Sequence, residues 1–163
     1  MLRAGGKRDE HRSIVQISVE KEWHMRVVIA YFAPRNRESY RKLAQGIARG
    51  LESRGFQVDV IDGEVEKGKR LSFYEYIVIG CEPASLFGRK IPQSVSTFLS
   101  QAGSIGGKRS CAFIGKHPFA SSRALSQLMK AMEREGMFLT YSEILSSPSQ
   151  AELLGIHLPT AKG

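Results

Sequence analysis

The sequence predicts a three-layer α/β sandwich, in which a parallel sheet lies between two layers of helices. The strand candidates are continuous apolar runs rich in β-branched residues, such as RVVIAYF at residues 26–32, which is typical of strands buried on both faces. The segments between several of these runs carry apolar residues at helical spacing. Regular alternation of strands and helices implies right-handed crossovers, so we expect the strands to be parallel.

The first helix is predicted directly after the first strand. Gly55 is placed to end it, and its apolar face consists of Tyr40, Leu43, Ala44, Ile47, Ala48 and Leu51. FQVDVID at residues 56–62 carries Val58 and Val60 in alternation with polar residues, and it predicts a second strand. YIVIGC at residues 76–81 predicts a third strand, which is almost wholly apolar. The polar segment between these two strands is too short for a full helix, so we expect a loop there.

The second half of the chain continues the alternation. Pro92 suits the first turn of a helix whose inward face consists of Val95, Phe98, Leu99 and Ala102. RSCAFIG at residues 109–115 predicts a fourth strand, and the amphipathic segment that follows it predicts a helix ending at Gly136. FLTYSEIL predicts a fifth strand, after which we expect only a short helical turn at Pro148.

The composition describes one globular domain. The chain has 163 residues, enough for one core, and 42% of them are hydrophobic. No apolar run approaches the roughly 18 residues of a membrane helix, and nothing resembles a secretory leader, so we expect a cytoplasmic protein without membrane contact. We interpret residues 25–163 as the domain and residues 1–24 as an N-terminal tail or an extra edge strand.

The chain is also basic, with a formal net charge of +8, which favours acidic partners through long-range steering. Basic residues are dense between Arg35 and Arg54, but no nucleic-acid-binding motif accompanies them, so a solvated helix face is the ordinary interpretation. The two cysteines, Cys81 and Cys111, lack metal-ligand spacing and predict buried thiols. We expect neither a metal site nor a catalytic cluster, because a pair of Cys81 with His117 lacks a third orienting residue.

The stretch YIVIGCEPASLFGRKIPQSVSTFLSQAG resembles the flavodoxin-like family, with its strand, its G-S-P-x-aromatic loop and its K-x-P helix entry. The following GGKRSCAFIG is similar to the next strand of that family. The resemblance covers Met25 to about Ser147 and implies a five-stranded sheet in the order 2-1-3-4-5 with helices on both faces. It also implies an FMN site at the carboxyl ends of the strands. In the family a T/S-x-T-G-N-T loop opening the first helix holds the FMN phosphate, and the loops after strands three and four hold the ring.

The phosphate loop departs from that pattern. If Ala44 matches the alanine of the family's first helix, Glu38 stands in place of glycine, and a carboxylate there would repel a phosphate. Arg35 and Arg37 could neutralise the anion, and Ser39 could donate a hydroxyl. Two interpretations stay open. Either the loop binds phosphate through Arg37, Ser39 and Tyr40, or it is a charged turn in which Glu38 occupies the helix N-terminus.

The expected ring site departs from the family as well. Gly80, Pro83 and Gly88 are kept, but serine stands at the family's aromatic position. Phe87, together with Phe119 after strand four, could still sandwich a flavin, although both could instead pack beneath their own loops. A further loop residue, Glu82, either reaches the flavin edge or is solvated.

Three functions fit these observations. The first, which the sequence favours, is an FMN-binding carrier that transfers electrons between protein partners as a monomer or weak dimer, without a substrate of its own. The second is a flavin-free protein of the same fold that uses its basic first-helix face to bind an acidic partner. The third is an oxidoreductase of the quinone-reductase type, for which no substrate pocket is evident in the sequence.

Overall fold

The computed structural model describes residues 25–85, 87 and 90–160. The segment interpreted as a tail or edge strand, residues 1–24, lies outside the described residues, and so does Gly88. The strands are β1 Arg26–Phe32, β2 Gln57–Asp62, β3 Tyr76–Cys81, β4 Arg109–Gly115 and β5 Phe138–Leu145. The helices are α1 Arg37–Glu52, α2 Gln93–Ser100, α3 Ser121–Arg134 and α4 Pro148–His157.

The five strands form one parallel sheet in the order β2-β1-β3-β4-β5, which confirms the predicted fold class and strand order. The register pairs Ala30 of β1 with Ile61 of β2 and with Ile79 of β3. β1 and β3 are apolar along nearly their whole length because both of their faces are covered. Residues 63–75, between β2 and β3, contain no helix or strand, as expected.

The core is divided between the two faces of the sheet. Along β1, Val28 and Phe32 point into one cluster and Val27 and Ile29 into the other, because successive side chains of a strand alternate between faces. The first cluster is covered by α2 and α3, and the second by α1 and α4. Each layer buries its apolar helix face against the sheet, and this burial is the main stabilising contribution to such a fold.

The segment after β5 differs from the short helical turn that the sequence predicted. α4 is a ten-residue helix that begins at Pro148, and the Ser147 hydroxyl caps it by accepting a hydrogen bond from the Gln150 N–H at 3.2 Å. It packs closely against α1 through glycines: a Cβ atom added at Gly155 would lie 2.2 Å from the Ile47 carbonyl oxygen. Within the described residues, no helix has the length and apolar character needed to cross a membrane.

Candidate functional site

The candidate site lies where β1, β3 and β4 end at the same edge of the sheet. β1 continues into residues 33–36, which we call the first-helix loop, and this loop leads directly into α1. β3 continues into Glu82 and Pro83, and β4 continues into Lys116 and His117. Because parallel strands end together, residues far apart in sequence meet at this edge, as ligand sites of open α/β sheets require.

The centre of this edge is occupied by the side chain of Glu82, which has no solvent exposure. One carboxylate oxygen, Oε1, accepts a hydrogen bond from the backbone N–H of Arg35 at 2.5 Å. The other, Oε2, accepts from the Asn36 side-chain amide at 2.7 Å. The Arg35 guanidinium adds a charged contact, with Nε 3.7 Å from Oε1. Glu82 is therefore neither solvated nor free to meet a flavin, contrary to both expectations from the sequence.

The Glu82 carboxylate accepts hydrogen bonds from N–H groups of the kind that a phosphate loop donates to its ligand. A helix N-terminus binds an anion through inward-pointing N–H groups, and a carboxylate is a suitable anion for that position. Asn36 stands at the N-cap of α1, but its side chain donates to Glu82, and α1 has no side-chain cap hydrogen bond. Donors of the first-helix loop, the Arg35 N–H and the Asn36 amide, are thus hydrogen-bonded to an acidic residue of the same chain.

Glu38, the residue that sequence reasoning placed at the helix N-terminus, turns outward. Its oxygens accept from Arg41, with Oε1 2.7 Å from Nη2 and Oε2 3.0 Å from Nε. The side chain is 60% exposed, and its pKa is lowered chiefly by the hydrogen bond from Arg41. Glu38 does lie in the first turn of α1, but the carboxylate bound in the loop belongs to Glu82.

The three residues predicted to bind phosphate do not converge on one position. Arg37 forms an ion pair with Asp62 at the end of β2, with Nε 2.5 Å from Oδ2. Ser39 is exposed. Tyr40 is buried, and its hydroxyl oxygen accepts a hydrogen bond from the Gly115 N–H at 2.9 Å.

The Tyr40 hydroxyl also lies 3.2 Å from Nε2 of His117. Burial raises the pKa of Tyr40, so the phenol keeps its proton throughout the physiological range. Since His117 Nε2 is the one acceptor within reach of the hydroxyl hydrogen among the described residues, we assign the phenol as the donor to Nε2. Burial lowers the pKa of His117, which favours the neutral ring that can accept this hydrogen.

The residues predicted around a flavin ring lie at the same edge but make other contacts. Phe87 and Phe119 stack on each other, with ring centroids 5.7 Å apart and an angle of 25° between the ring planes. Both are largely exposed, at 77% and 73%. A third aromatic ring between them would require a separation of roughly 7 Å, because each stacking contact needs about 3.5 Å. The carbonyl oxygen of Pro83 accepts from the Arg35 guanidinium.

The basic residues of α1 are largely neutralised by carboxylates. Besides the pairs of Arg37 and Arg41, Arg49 lies 3.4 Å from Glu152 of α4. Lys42, one turn into the same helix, forms no ion pair with a described residue, and neither does Lys116 after β4. Among the basic residues of α1 and the loop after β4, Lys42 and Lys116 are therefore the ones whose charge no carboxylate of the described residues pairs.

Two other expectations concern the cysteines and metals. Cys81 is buried at the end of β3, and burial raises the pKa of its thiol, so it is neither ionised nor accessible as a nucleophile. Among the residues that the structure describes, no group of three His, Cys, Asp or Glu side chains could hold a metal ion.

The residues present do not fit the FMN that the family resemblance implies. A phosphate at the first-helix loop would meet the Glu82 carboxylate where it needs N–H donors. A flavin ring would have to part Phe87 from Phe119. The sequence placed Glu82 in this loop but did not predict its contacts with Arg35 and Asn36, because these partners lie 47 and 46 positions away.

Comparisons with known proteins agree on the fold. No protein-family model matches the sequence, and no curated protein sequence matches it. The structure is similar to that of a flavodoxin from the domain Archaea, with 20% identity and a TM-score of 0.64, over 81% of this chain and 94% of that one. It is similar to a two-electron reduced flavodoxin from Megasphaera elsdenii, with 18% identity and a TM-score of 0.66, over 80% and 96%. An oxidised flavodoxin from Bacillus cereus matches with 18% identity and a TM-score of 0.61, over 79% and 94%. By strand order and by these likenesses, the chain has the flavodoxin-like fold.

Proposed function

We propose that this protein is a flavin-free interaction protein with the flavodoxin-like fold, which binds an acidic protein partner at the carboxyl edge of its sheet. The observation that carries the proposal is the buried Glu82 carboxylate bonded to Arg35 and Asn36. Two unit charges of like sign 4 Å apart repel by about 4 kcal/mol at an effective dielectric constant of 20, so a phosphate dianion beside Glu82 would be strongly disfavoured.

The partner's chemistry follows from the side chains at the carboxyl edge of the sheet. Lys42 and Lys116 supply positive charge that no carboxylate of the described residues neutralises within ion-pair distance. Phe87 and Phe119 supply a stacked, exposed aromatic pair at the same edge. Protein interfaces are commonly anchored by aromatic residues and steered by complementary charge. An acidic protein surface with an apolar centre would complement both features. We propose the cytoplasm as the compartment, in keeping with the expectation from the sequence.

The competing function is FMN-dependent electron transfer between proteins. It is favoured by the likeness to flavodoxins in oxidised and reduced states, and by the presence of a phenylalanine in each of the two loops expected around a flavin. It requires the Glu82 side chain to leave its buried position and the two rings to separate.

The visible absorption spectrum after dialysis against excess FMN separates the two functions. We expect the wild-type protein to retain no flavin. Glu82→Ala frees the Arg35 N–H and the Asn36 amide, so this variant is expected to bind FMN more tightly than the wild type. Glu38→Gly is the matched control, because Glu38 is bonded to Arg41 outside the loop, and it should retain no more flavin than the wild type.

Two outcomes would contradict the proposal. Stoichiometric flavin on the wild-type protein would show that Glu82 does not exclude the cofactor. A folded Glu82→Ala variant without any gain in FMN affinity would show that the carboxylate is not what keeps the phosphate out. Circular dichroism establishes that each variant is folded before its spectrum is compared.

A further inference from the structure

A cavity lies on the side of α1 that faces the ends of β4 and β5. Its volume is about 410 Å³, within the range typical of small-molecule sites. Neither Arg35 nor Glu82 is among its lining residues, so it is distinct from the position that Glu82 fills. Its polar walls are formed by Asn36, Ser39, Lys42, Lys116, His117, Ser146 and Ser147.

The cavity is lined by cations and hydrogen-bond donors. Lys42 enters it from α1 and Lys116 from the end of β4, and neither forms an ion pair with a described residue. No aspartate or glutamate belongs to the lining. The hydroxyl groups of Ser39 and Ser146 can add donors. These charges favour an anionic ligand.

His117 contributes a neutral donor of defined orientation. Its Nε2 lies 3.2 Å from the Tyr40 hydroxyl, whose oxygen accepts from the Gly115 N–H. With no other described acceptor for its hydrogen, we assign the phenol as the donor to Nε2, which places the proton of the neutral ring on Nδ1. Nδ1 has no hydrogen-bond partner among the described residues, so it remains available to a ligand in the cavity.

The remaining walls are apolar and suit a carbon skeleton. Leu43 and Leu145 line the cavity, together with the Pro148 ring at the start of α4. A ligand filling this volume thus carries an apolar or neutral body as well as an anionic group. The number of cations indicates the charge of that group, because two lysines match the near −2 charge of a phosphate ester above its second pKa of about 6.

We propose that this cavity binds a compact organic phosphate monoester, with the phosphate between Lys42 and Lys116 and the carbon body against Leu43 and Leu145. His117 Nδ1 and the Ser39 hydroxyl donate to the phosphate oxygens. This site does not depend on whether the protein is flavin-free, because it uses none of the contacts that hold Glu82.

Isothermal titration calorimetry with glycerol phosphate as the probe tests the site. We expect saturable binding by the full-length wild-type protein, with no binding of glycerol and weaker binding of acetate. Lys42→Met and Lys116→Met each remove one charged contact and should weaken binding about tenfold. Lys130→Met is the matched control, since Lys130 is exposed on α3 away from the cavity lining, and it should bind like the wild type.

Absence of saturable binding at millimolar probe concentrations would overturn the proposal, and so would equal losses in the Lys130→Met control and the two cavity variants. Loss of fold in one variant leaves the other variant as the test, with circular dichroism as the check. If wild-type protein binds both FMN and glycerol phosphate, and the two lysine substitutions weaken only the binding of glycerol phosphate, the proposed flavin-free function fails while this site stands. If glycerol phosphate does not bind and FMN does not bind, this site fails while the flavin-free function stands.

Discussion

The Tyr40 ring lies buried between Phe113 and His117, with ring centroids 6.3 Å from each. The family resemblance places threonine at this position, where a small hydroxyl would border the phosphate loop. The larger phenol instead reaches the end of β4 and satisfies the Gly115 N–H. At position 40 the phenol thus forms a contact between α1 and the end of β4.

Tyr40→Phe tests how much this hydroxyl contributes to the stability of the fold. The change leaves the buried Gly115 N–H without its acceptor, so we expect the free energy of unfolding to fall by roughly 1–3 kcal/mol. Urea denaturation followed by circular dichroism measures the difference. Tyr141→Phe is the control, because Tyr141 is 45% exposed and its hydroxyl has no hydrogen-bond partner among the described residues. Equal stability of the two variants would show that the Tyr40 hydroxyl stabilises nothing.

Single residues were the least predictable part of this molecule. Strand and helix periodicity reports which face a residue occupies, but not which atom it meets. Glu82 and Asn36 are joined only because β1 and β3 end side by side, and the sequence separation of 46 carries no such information. Phe87 and Phe119 were recognised as the aromatic residues of this edge, but their stacking on each other depends on loop conformations that no pattern encodes.

At the scale of elements, the contact between α1 and α4 is set by glycine. A Cβ atom at Gly50 would lie 2.2 Å from the Glu152 carbonyl oxygen, and one at Gly155 would lie 2.2 Å from that of Ile47. The two backbones therefore approach more closely than side chains would allow. The sequence suggested only a helical turn after Pro148, whereas α4 is a ten-residue helix. Its packing against α1 stabilises the helix beyond what the local sequence alone would.

Gly155→Ala tests this contact against helix propensity. Alanine favours a helix over glycine by about 1 kcal/mol, but the new methyl group would overlap the Ile47 carbonyl, and such overpacking costs about 1–3 kcal/mol. We expect a net loss of thermal stability, measured as a lower Tm. Leu153→Ala on the exposed face of α4 should change Tm little. A rise in Tm for Gly155→Ala would show that the helices are not in close contact.

At the scale of the whole molecule, the strand order was predictable because the signals are long and redundant. Apolar runs and alternating patterns identified the five strands, and the resemblance in YIVIGCEPASLFGRKIP supplied their order. The positive sign of the net charge was predictable, but the position of its unpaired part was not. Arg37, Arg41 and Arg49 of α1 all form ion pairs with carboxylates. Lys42 and Lys116 contribute unpaired positive charge at the carboxyl edge.

Retention on immobilised poly-glutamate measures the effect of this charge. We expect the wild-type protein to bind and to elute at lower salt after the double substitution Lys42→Glu with Lys116→Glu, because charge complementarity steers association. Lys130→Glu with Arg134→Glu, two exposed residues near the C-terminal end of α3, is the control with the same change in net charge. If both double variants elute at the same salt concentration, binding depends on net charge alone and no acidic partner is directed to this edge.

The central claim is that a carboxylate of the chain itself occupies the place of the FMN phosphate. A crystal structure of the wild-type protein grown with excess FMN tests it most directly. We expect density for the Glu82 carboxylate at the Arg35 N–H and the Asn36 amide, and no flavin between Phe87 and Phe119. Density for a phosphate at the Arg35 N–H, with the Glu82 side chain turned away, would contradict the claim.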